Sequence, residues 1–397
     1  MGQRPRRILP VIIASQFAGT SLWFAGNAVL DDLQRQWGLP GEALGYLISS
    51  VQLGFIAGTL AFAFFALSDL FSPRMVFFVC SLLGAIANAA IVALGEGLAG
   101  LLALRFVAGF FLAGIYPVGM KIASGWYQRD LGSALGFLVG ALVVGTAFPH
   151  LLKGLGQALP WQGVMLAVSA VAAVGGLLML TLVPDGPHLA KGVRFDPRAL
   201  AAIFRVPAFR ASSFGYFGHM WELYAFWAFV PWVLAAHAAQ VARQDTNVSL
   251  WSFAVIAAGS IGCAVGGLIS LRRGSAPVAF AQLASSGLCC ALSPLLFHAP
   301  TPLFLAFLLF WGVVVVGDSP QFSALNAQSA PRQRVGSALT IANCIGFAIT
   351  IVSIQFLNAA AGIVGAQWLF LLLVPGPIFG LLSLMPLLRR VPRHTAA

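Results

Sequence analysis

Apolar runs of about twenty residues, parted by short charged or Pro/Gly-containing connections, recur along the whole of this chain. A run of that length crosses the hydrocarbon core of a bilayer as one α-helix, since about 20 residues rising 1.5 Å each cover about 30 Å. The pattern predicts helices at 8–30, 43–65, 75–95, 98–121, 133–154 and 161–183, then at 211–236, 250–271, 276–297, 302–325, 337–361 and 367–388. Charged residues make up 8% of the 397, against roughly 25% in soluble domains. A water-soluble globular protein is therefore excluded. The expected fold class is an all-α, multi-pass membrane protein of twelve transmembrane helices, resident in a plasma or inner membrane.

The net charge of +11 does not point to nucleic acid, because the basic residues sit between apolar runs rather than on one soluble face. Arg4, Arg6, Arg7, Arg74, Arg129, Lys191, Arg194, Arg198, Arg205, Arg210, Arg272, Arg273, Arg332, Arg334, Arg389, Arg390 and Arg393 all fall on one side of the expected topology; only Arg35, Lys153 and Arg243 fall on the other. Short basic connections stay inside, so both termini are expected in the cytoplasm. The opening arginines followed by an apolar run have the charge order of a signal peptide, but the run exceeds an h-region and reads as the first span. The longest polar stretch divides the chain into 1–183, a cytoplasmic linker 184–210, and 211–397. Cys80, Cys263, Cys289, Cys290 and Cys344 lie within apolar runs without CxxC or Cys/His spacing, which indicates neither a disulfide framework, nor a metal site, nor a cofactor.

The two halves repeat. Gly132-Ser133-Ala134-Leu135 returns as Gly336-Ser337-Ala338-Leu339, and Gly114-Ile115-Tyr116-Pro117 is matched by Gly317-Asp318-Ser319-Pro320, at offsets of 204 and 203. Duplication of a six-helix unit places a substrate site at the repeat interface near mid-membrane. The connection Phe65-Ala66-Leu67-Ser68-Asp69-Leu70-Phe71-Ser72-Pro73-Arg74 resembles the GxxxDRxGRR loop of the major facilitator superfamily, with Asp69 and Arg74 kept and Phe65 and Ser72 replacing its glycines. Its counterpart, 267–274, keeps Gly267, Gly274 and basic residues but has Leu271 in place of the acid. Arg105-Phe106-Val107-Ala108-Gly109 is similar to the superfamily's RxxxG element in helix four. The resemblance implies two pseudo-symmetric six-helix bundles rocking about a central cavity, so that it opens to one side at a time. It further implies that Asp69 meets the turn around Gly336, which makes Asp69, Arg74, Gly132 and Gly336 the expected gating residues; a solvated loop charge is the alternative. At the end of its own helix Asp69 needs a partner, because the dipole there disfavours a carboxylate.

Ionisable side chains within a span are costly and usually face a cavity or a partner. Glu222 lies about twelve residues, hence about 18 Å, into the seventh expected helix, and His219 precedes it by one turn. A carboxyl held away from water takes up a proton more readily, so Glu222 is the leading proton-coupling candidate, with His219 as relay; a structural hydrogen bond to a neighbouring helix is the alternative. Asp318 precedes Pro320, whose ring breaks the helix, and reads as a second coupling group or as part of a hinge. Arg105 is deep enough to need a partner, and Lys121 reads as a snorkelling anchor. The expected substrate-facing polar set is Arg105, Gln16, Trp23, Asn27, Gln52, Tyr116, Tyr216, Gln321 and Asn343, with Trp221, Tyr224 and Trp227 able to stack on an organic compound or simply to pack.

No GxxxxGK[ST] loop, HExxH, GxSxG or paired-carboxylate pattern occurs, so neither nucleotide hydrolysis nor enzyme catalysis is expected. Three readings remain. The first is a proton-coupled transporter, working as a monomer, of a small organic or inorganic anion. Arg105 motivates it, as does the passage 121–127, which resembles nitrate and organic-anion members, although the basic residues that nitrate and oxalate carriers place in helices two, eight and eleven are missing. The second is a proton-driven exporter of amphipathic or cationic compounds, favoured by Glu222, Asp318 and the aromatic seventh helix. The third, a receptor that keeps the fold without transport, is disfavoured by the lack of a sizeable soluble domain.

Overall fold

A computed structural model describes residues 5–127, 131–155, 159–189, 202–241, 246–331 and 334–388. Arg4, Arg129, Lys191, Arg194, Arg198, Arg243, Arg332, Arg389, Arg390 and Arg393 of the charge pattern lie outside these residues. Among the described residues all regular structure is helical, and ten helices are long and apolar enough to cross a membrane. In chain order the elements are α1 (Ile8–Thr20), α2 (Ala25–Ala28), α3 (Leu30–Trp37), α4 (Ala43–Phe64), α5 (Leu67–Leu70), α6 (Pro73–Leu94), α7 (Gly97–Leu112), α8 (Tyr116–Trp126), α9 (Leu131–Leu155) and α10 (Trp161–Leu182). They continue with α11 (Pro207–Gln240), α12 (Val248–Arg273), α13 (Ser275–Phe297), α14 (Thr301–Gly317), α15 (Ser319–Ser329), α16 (Val335–Ala361), α17 (Ala366–Leu369), a 3-10 turn (Phe370–Leu373) and α18 (Pro375–Leu388).

Four expected helices are interrupted: the run over 367–388 by the 3-10 turn Phe370–Leu373, and three others each for a chemical reason. The run expected over 8–30 stops at Thr20, where the Thr20 hydroxyl donates to the Gln16 carbonyl at 2.8 Å and the Ser21 hydroxyl to that of Ala18 at 2.6 Å; such back-bonding competes with the helix ladder and bends it. The run over 98–121 breaks at 113–115 before Pro117, and the run over 302–325 breaks at Asp318 before Pro320. In both, the proline stands at the second residue of the new helix, where its missing N–H costs no bond. The repeated sequence motif is thus a repeated helix break. Conversely, α11 begins at Pro207 and takes in the last four residues of the expected linker. This 34-residue helix is not among the apolar ten.

Large apolar side chains such as Leu53, Ile86, Val174, Ile261, Leu288 and Leu382 point outward, a surface suited to acyl chains. Inside, α4 packs on α7, α6 on α10, and α1 on α9 and α10; α11 packs on α16 and α18, α12 on α14, and α13 on α14 and α18. Two pairings, α9 with α12 and α4 with α16, join the first set to the second. Several crossings need glycine because backbones touch. A Cβ at Gly54 would strike the Phe106 carbonyl oxygen across the α4–α7 contact, and one at Gly262 would strike that of Val313 across α12–α14. Neither obstacle is a side chain that could turn away. Gly262→Val and Gly54→Val are therefore expected to cost about 1 to 3 kcal/mol each through overpacking, read as a lower melting temperature in detergent. Gly132→Val, with nothing within 4 Å of its Cβ, serves as the neutral control.

Candidate functional site

The second half of the chain contains a cluster of buried ionisable groups built on α11. His219 Nδ1 lies 2.9 Å from Asp318 Oδ1, and both side chains are fully buried. Asp318 stands at the junction of α14 and α15, as the N-cap residue of α15, where the positive end of that helix faces the carboxyl. The His219 ring is flanked by Phe322 at 5.7 Å and Tyr216 at 6.1 Å between centroids. One turn along α11, Glu222 is also fully buried; its Oε2 accepts a weak bond from Cys290 Sγ at 3.4 Å. Ser286, one turn before Cys290 on α13, lies beside the same carboxyl and accepts from Trp311 Nε1 at 3.0 Å. Glu222 therefore looks into the second set of helices. Tyr224, two residues on and about 200° around the helix, looks the other way.

Tyr224 belongs to an aromatic seam between the two sets. Trp23 lies 5.0 Å from Phe55, 5.7 Å from Tyr224 and 5.7 Å from Phe347, the last pair stacked. Phe55 meets Phe347 at 4.4 Å, and Phe24 meets Trp227 edge-on at 6.3 Å. Of these, Phe24, Phe55 and Phe347 escaped the sequence reading, since nothing separates them from the other phenylalanines in a chain with 32. Both amide atoms of Gln16, Asn27 and Gln52 and the indole Nε1 of Trp23 and Trp227 are buried without a hydrogen-bond partner among the described residues. Tyr116 lies near Tyr216 and Tyr224; Tyr216 donates to Asn343 Oδ1 at 3.2 Å, and Gln321 is buried one residue beyond Pro320.

The remaining expected site residues lie elsewhere. Arg105 does not face the seam with a free guanidinium. It is fully buried and bonded to Asn88 and to the carbonyls of Leu22 and Trp23. Asp69 sits on the one-turn α5, entered through Ala66 in a left-handed conformation (φ 50°), next to the point where the superfamily loop has glycine. Its carboxylate pairs with Lys121, whose ammonium also donates to the Ser68 carbonyl at 2.6 Å. Lys121 is thus a partner rather than a snorkelling anchor: it lies midway along α8, within reach of the α4–α6 connection. Arg74 lies 3.8 Å from Asp185 and donates to the Leu180 carbonyl at 3.3 Å. Gly132 and Gly336 open α9 and α16 in free space.

The break motif's offset of 203 pairs His219 with Gln16, Asp318 with Ile115, and Phe322 with Gly119. In the first half the Gln16 side chain packs on Gly119, and Ile115 on Gly19. The two halves thus share one geometry at the helix break, and only the second fills it with ionisable groups. A family model described as Major Facilitator Superfamily matches residues 11–354. The chain belongs to the Major Facilitator Superfamily. Its members are transporters, not enzymes, and with ten apolar helices this one is a multi-pass membrane protein. The crystal structure of the human organic anion transporter MFSD10 (TETRAN) is similar with a TM-score of 0.70 at 16% identity, covering 96% of this chain and 100% of that one. A mutant of the nucleoside transporter NupG gives 0.69 at 15% identity, covering 95% and 99%. At these identities the likeness concerns the fold. A D-galactonate transporter of Escherichia coli O6:H1 is 24% identical over 163 residues, 41% of this chain and 37% of that relative's length.

The Asp69–Lys121 pair is about a quarter exposed on each side, so its coupling should be modest. Asp69→Asn and Lys121→Met are each expected to lower the melting temperature, and a double-mutant cycle should return a coupling of about 1 kcal/mol. Strictly additive effects would show that the pair contributes nothing.

Proposed function

We propose that this member is a proton-coupled secondary transporter that works by alternating access as a monomer. Bundles 1–183 and 211–397, six spans each, are joined by a cytoplasmic linker 184–210, with both termini in the cytoplasm. In this reading α1 with α2, and α11, supply the first and seventh spans. Polar contacts between the bundles gather at the opposite, outer end. Gln355 Nε2 donates to Ser49 Oγ at 2.8 Å, Asn358 Nδ2 to the Glu42 carbonyl at 3.1 Å, and Asn247 Nδ2 to the Gly154 carbonyl at 2.8 Å. These contacts fit a state closed at the outer end.

The observation that carries the coupling proposal is the buried His219–Asp318 pair one turn from Glu222. A second acid beside a buried pair gives a proton two places to reside, and the pair sits on the break between α14 and α15. Proton movement and helix rearrangement would then share the same atoms. For the substrate, the geometry favours an amphipathic organic compound, stacked on the aromatic seam and bonded by the unpaired amides of Gln16, Asn27 and Gln52. The anion reading has support in the names of relatives that move galactonate or organic anions, yet the guanidinium it relied on, Arg105, is engaged within the first half.

In proteoliposomes with an imposed pH gradient, proton flux is to be recorded against a panel of lipophilic cations, neutral aromatics and organic anions. Glu222→Gln and Asp318→Asn are each expected to abolish uphill movement, with a loss of at least about tenfold, equivalent to 1.4 kcal/mol of coupling, while substrate binding persists. Full pH-driven accumulation by both variants would refute proton coupling through this cluster. Flux with anions alone would return the substrate class to the first reading.

A further inference from the structure

Arg105 is used on the protein itself. From α7 its Nη2 donates to the carbonyl of Leu22 at 2.9 Å and of Trp23 at 2.5 Å, and its Nη1 to Asn88 Oδ1 at 3.0 Å. Asn88, on α6, in turn donates to the Met165 carbonyl at 3.1 Å and Ser169 Oγ at 3.0 Å on α10. The third guanidinium nitrogen, Nε, is buried beside Gly26 and has no hydrogen-bond partner among the described residues. The two accepting carbonyls belong to the turn over 21–24, between α1 and α2, where a helix end leaves oxygens without amide partners. In an apolar interior such oxygens must be bonded, and a guanidinium satisfies two at once.

One of the gripped residues, Trp23, sends its ring into the seam against Phe55, Tyr224 and Phe347. We propose that Arg105 is a positioning residue for the conformational cycle: by fixing the backbone of the 21–24 turn it holds the Trp23 ring between α4, α11 and α16, and so keeps the outer end closed. A first-half network of α6, α7 and α10 thereby sets the stability of a contact with the second half. This goes beyond the proton-coupling proposal and does not depend on it, because the role is played on the closed state whatever the driving ion.

The test uses the full chain in liposomes with Ser49→Cys and Gln355→Cys, whose parent side chains are 2.8 Å apart across the outer end, and measures the rate of their cross-linking by a short bismaleimide. Arg105→Met is expected to slow cross-linking about tenfold, the effect of losing hydrogen bonds from a charged donor worth about 1.5 kcal/mol, with Arg105→Lys falling between. Trp23→Leu, which leaves the Arg105 network in place, should slow it to a similar degree, and the double variant should be no slower than either single one. Parent-rate cross-linking in Trp23→Leu overturns the proposal even if Arg105→Met fails to fold. Parent-rate cross-linking in a folded Arg105→Met overturns it directly, and additive slowing in the double variant shows that the two residues act separately. None of these outcomes changes with the transport result for Glu222→Gln.

Discussion

Hydrocarbon offers no hydrogen bonds, so wherever a spanning helix breaks, the freed carbonyls and amides must find partners within the protein. The chain breaks such helices at 21–24, at 113–115 and at 318, and the places that carry its chemistry are the places where those breaks are repaired or bordered. Arg105 bonds the first. At the last, the Asp318 carboxyl meets the histidine of the neighbouring helix. The helix breaks and the buried polar atoms therefore coincide.

The duplication makes the difference between the halves informative. Equivalent positions hold Gln16 and Ile115 in one and His219 and Asp318 in the other. An amide and an isoleucine cannot change charge, so only one half can respond to protonation at this point, while the other keeps the matching shape. The first half instead places the buried Arg105 guanidinium on main-chain oxygens of the 21–24 turn and on Asn88. At the repeated break the first half places an amide and an aliphatic side chain where the second places ionisable ones.

Much of the architecture was legible because it follows from length and apolarity. The run over 43–65 became α4 and that over 161–183 became α10, to within a residue, since a bilayer leaves such segments one solution. The proline at 320 announced a break for the same reason, and Pro117 carried the same signal in the first half. What could not be read was direction. Periodicity places Glu222 on a helix, but whether it meets Cys290 in its own half or the seam depends on how α11 is rotated against α13, which no local pattern encodes. Arg105 was visible as a buried charge that needs partners. Those partners turned out to be main-chain oxygens, invisible in a sequence of side chains, and Asn88, which looked like any polar residue in an apolar run.

The contact between α9 and α12 is lined by small groups: a methyl at Gly136 would lie 3.4 Å from the Cys263 oxygen, and one at Gly140 would lie 3.5 Å from that of Ser260. Small residues there let the two backbones approach closely, with a side-chain bond, Asn247 to the Gly154 carbonyl, at the outer end. On the opposite flank α4 and α16 are bolted by rings and amides that must separate for any movement to occur. The molecule thus resembles a door hung along a close backbone contact on one side and held on the other by a broader set of rings and amides, which is where its opening has the most to undo.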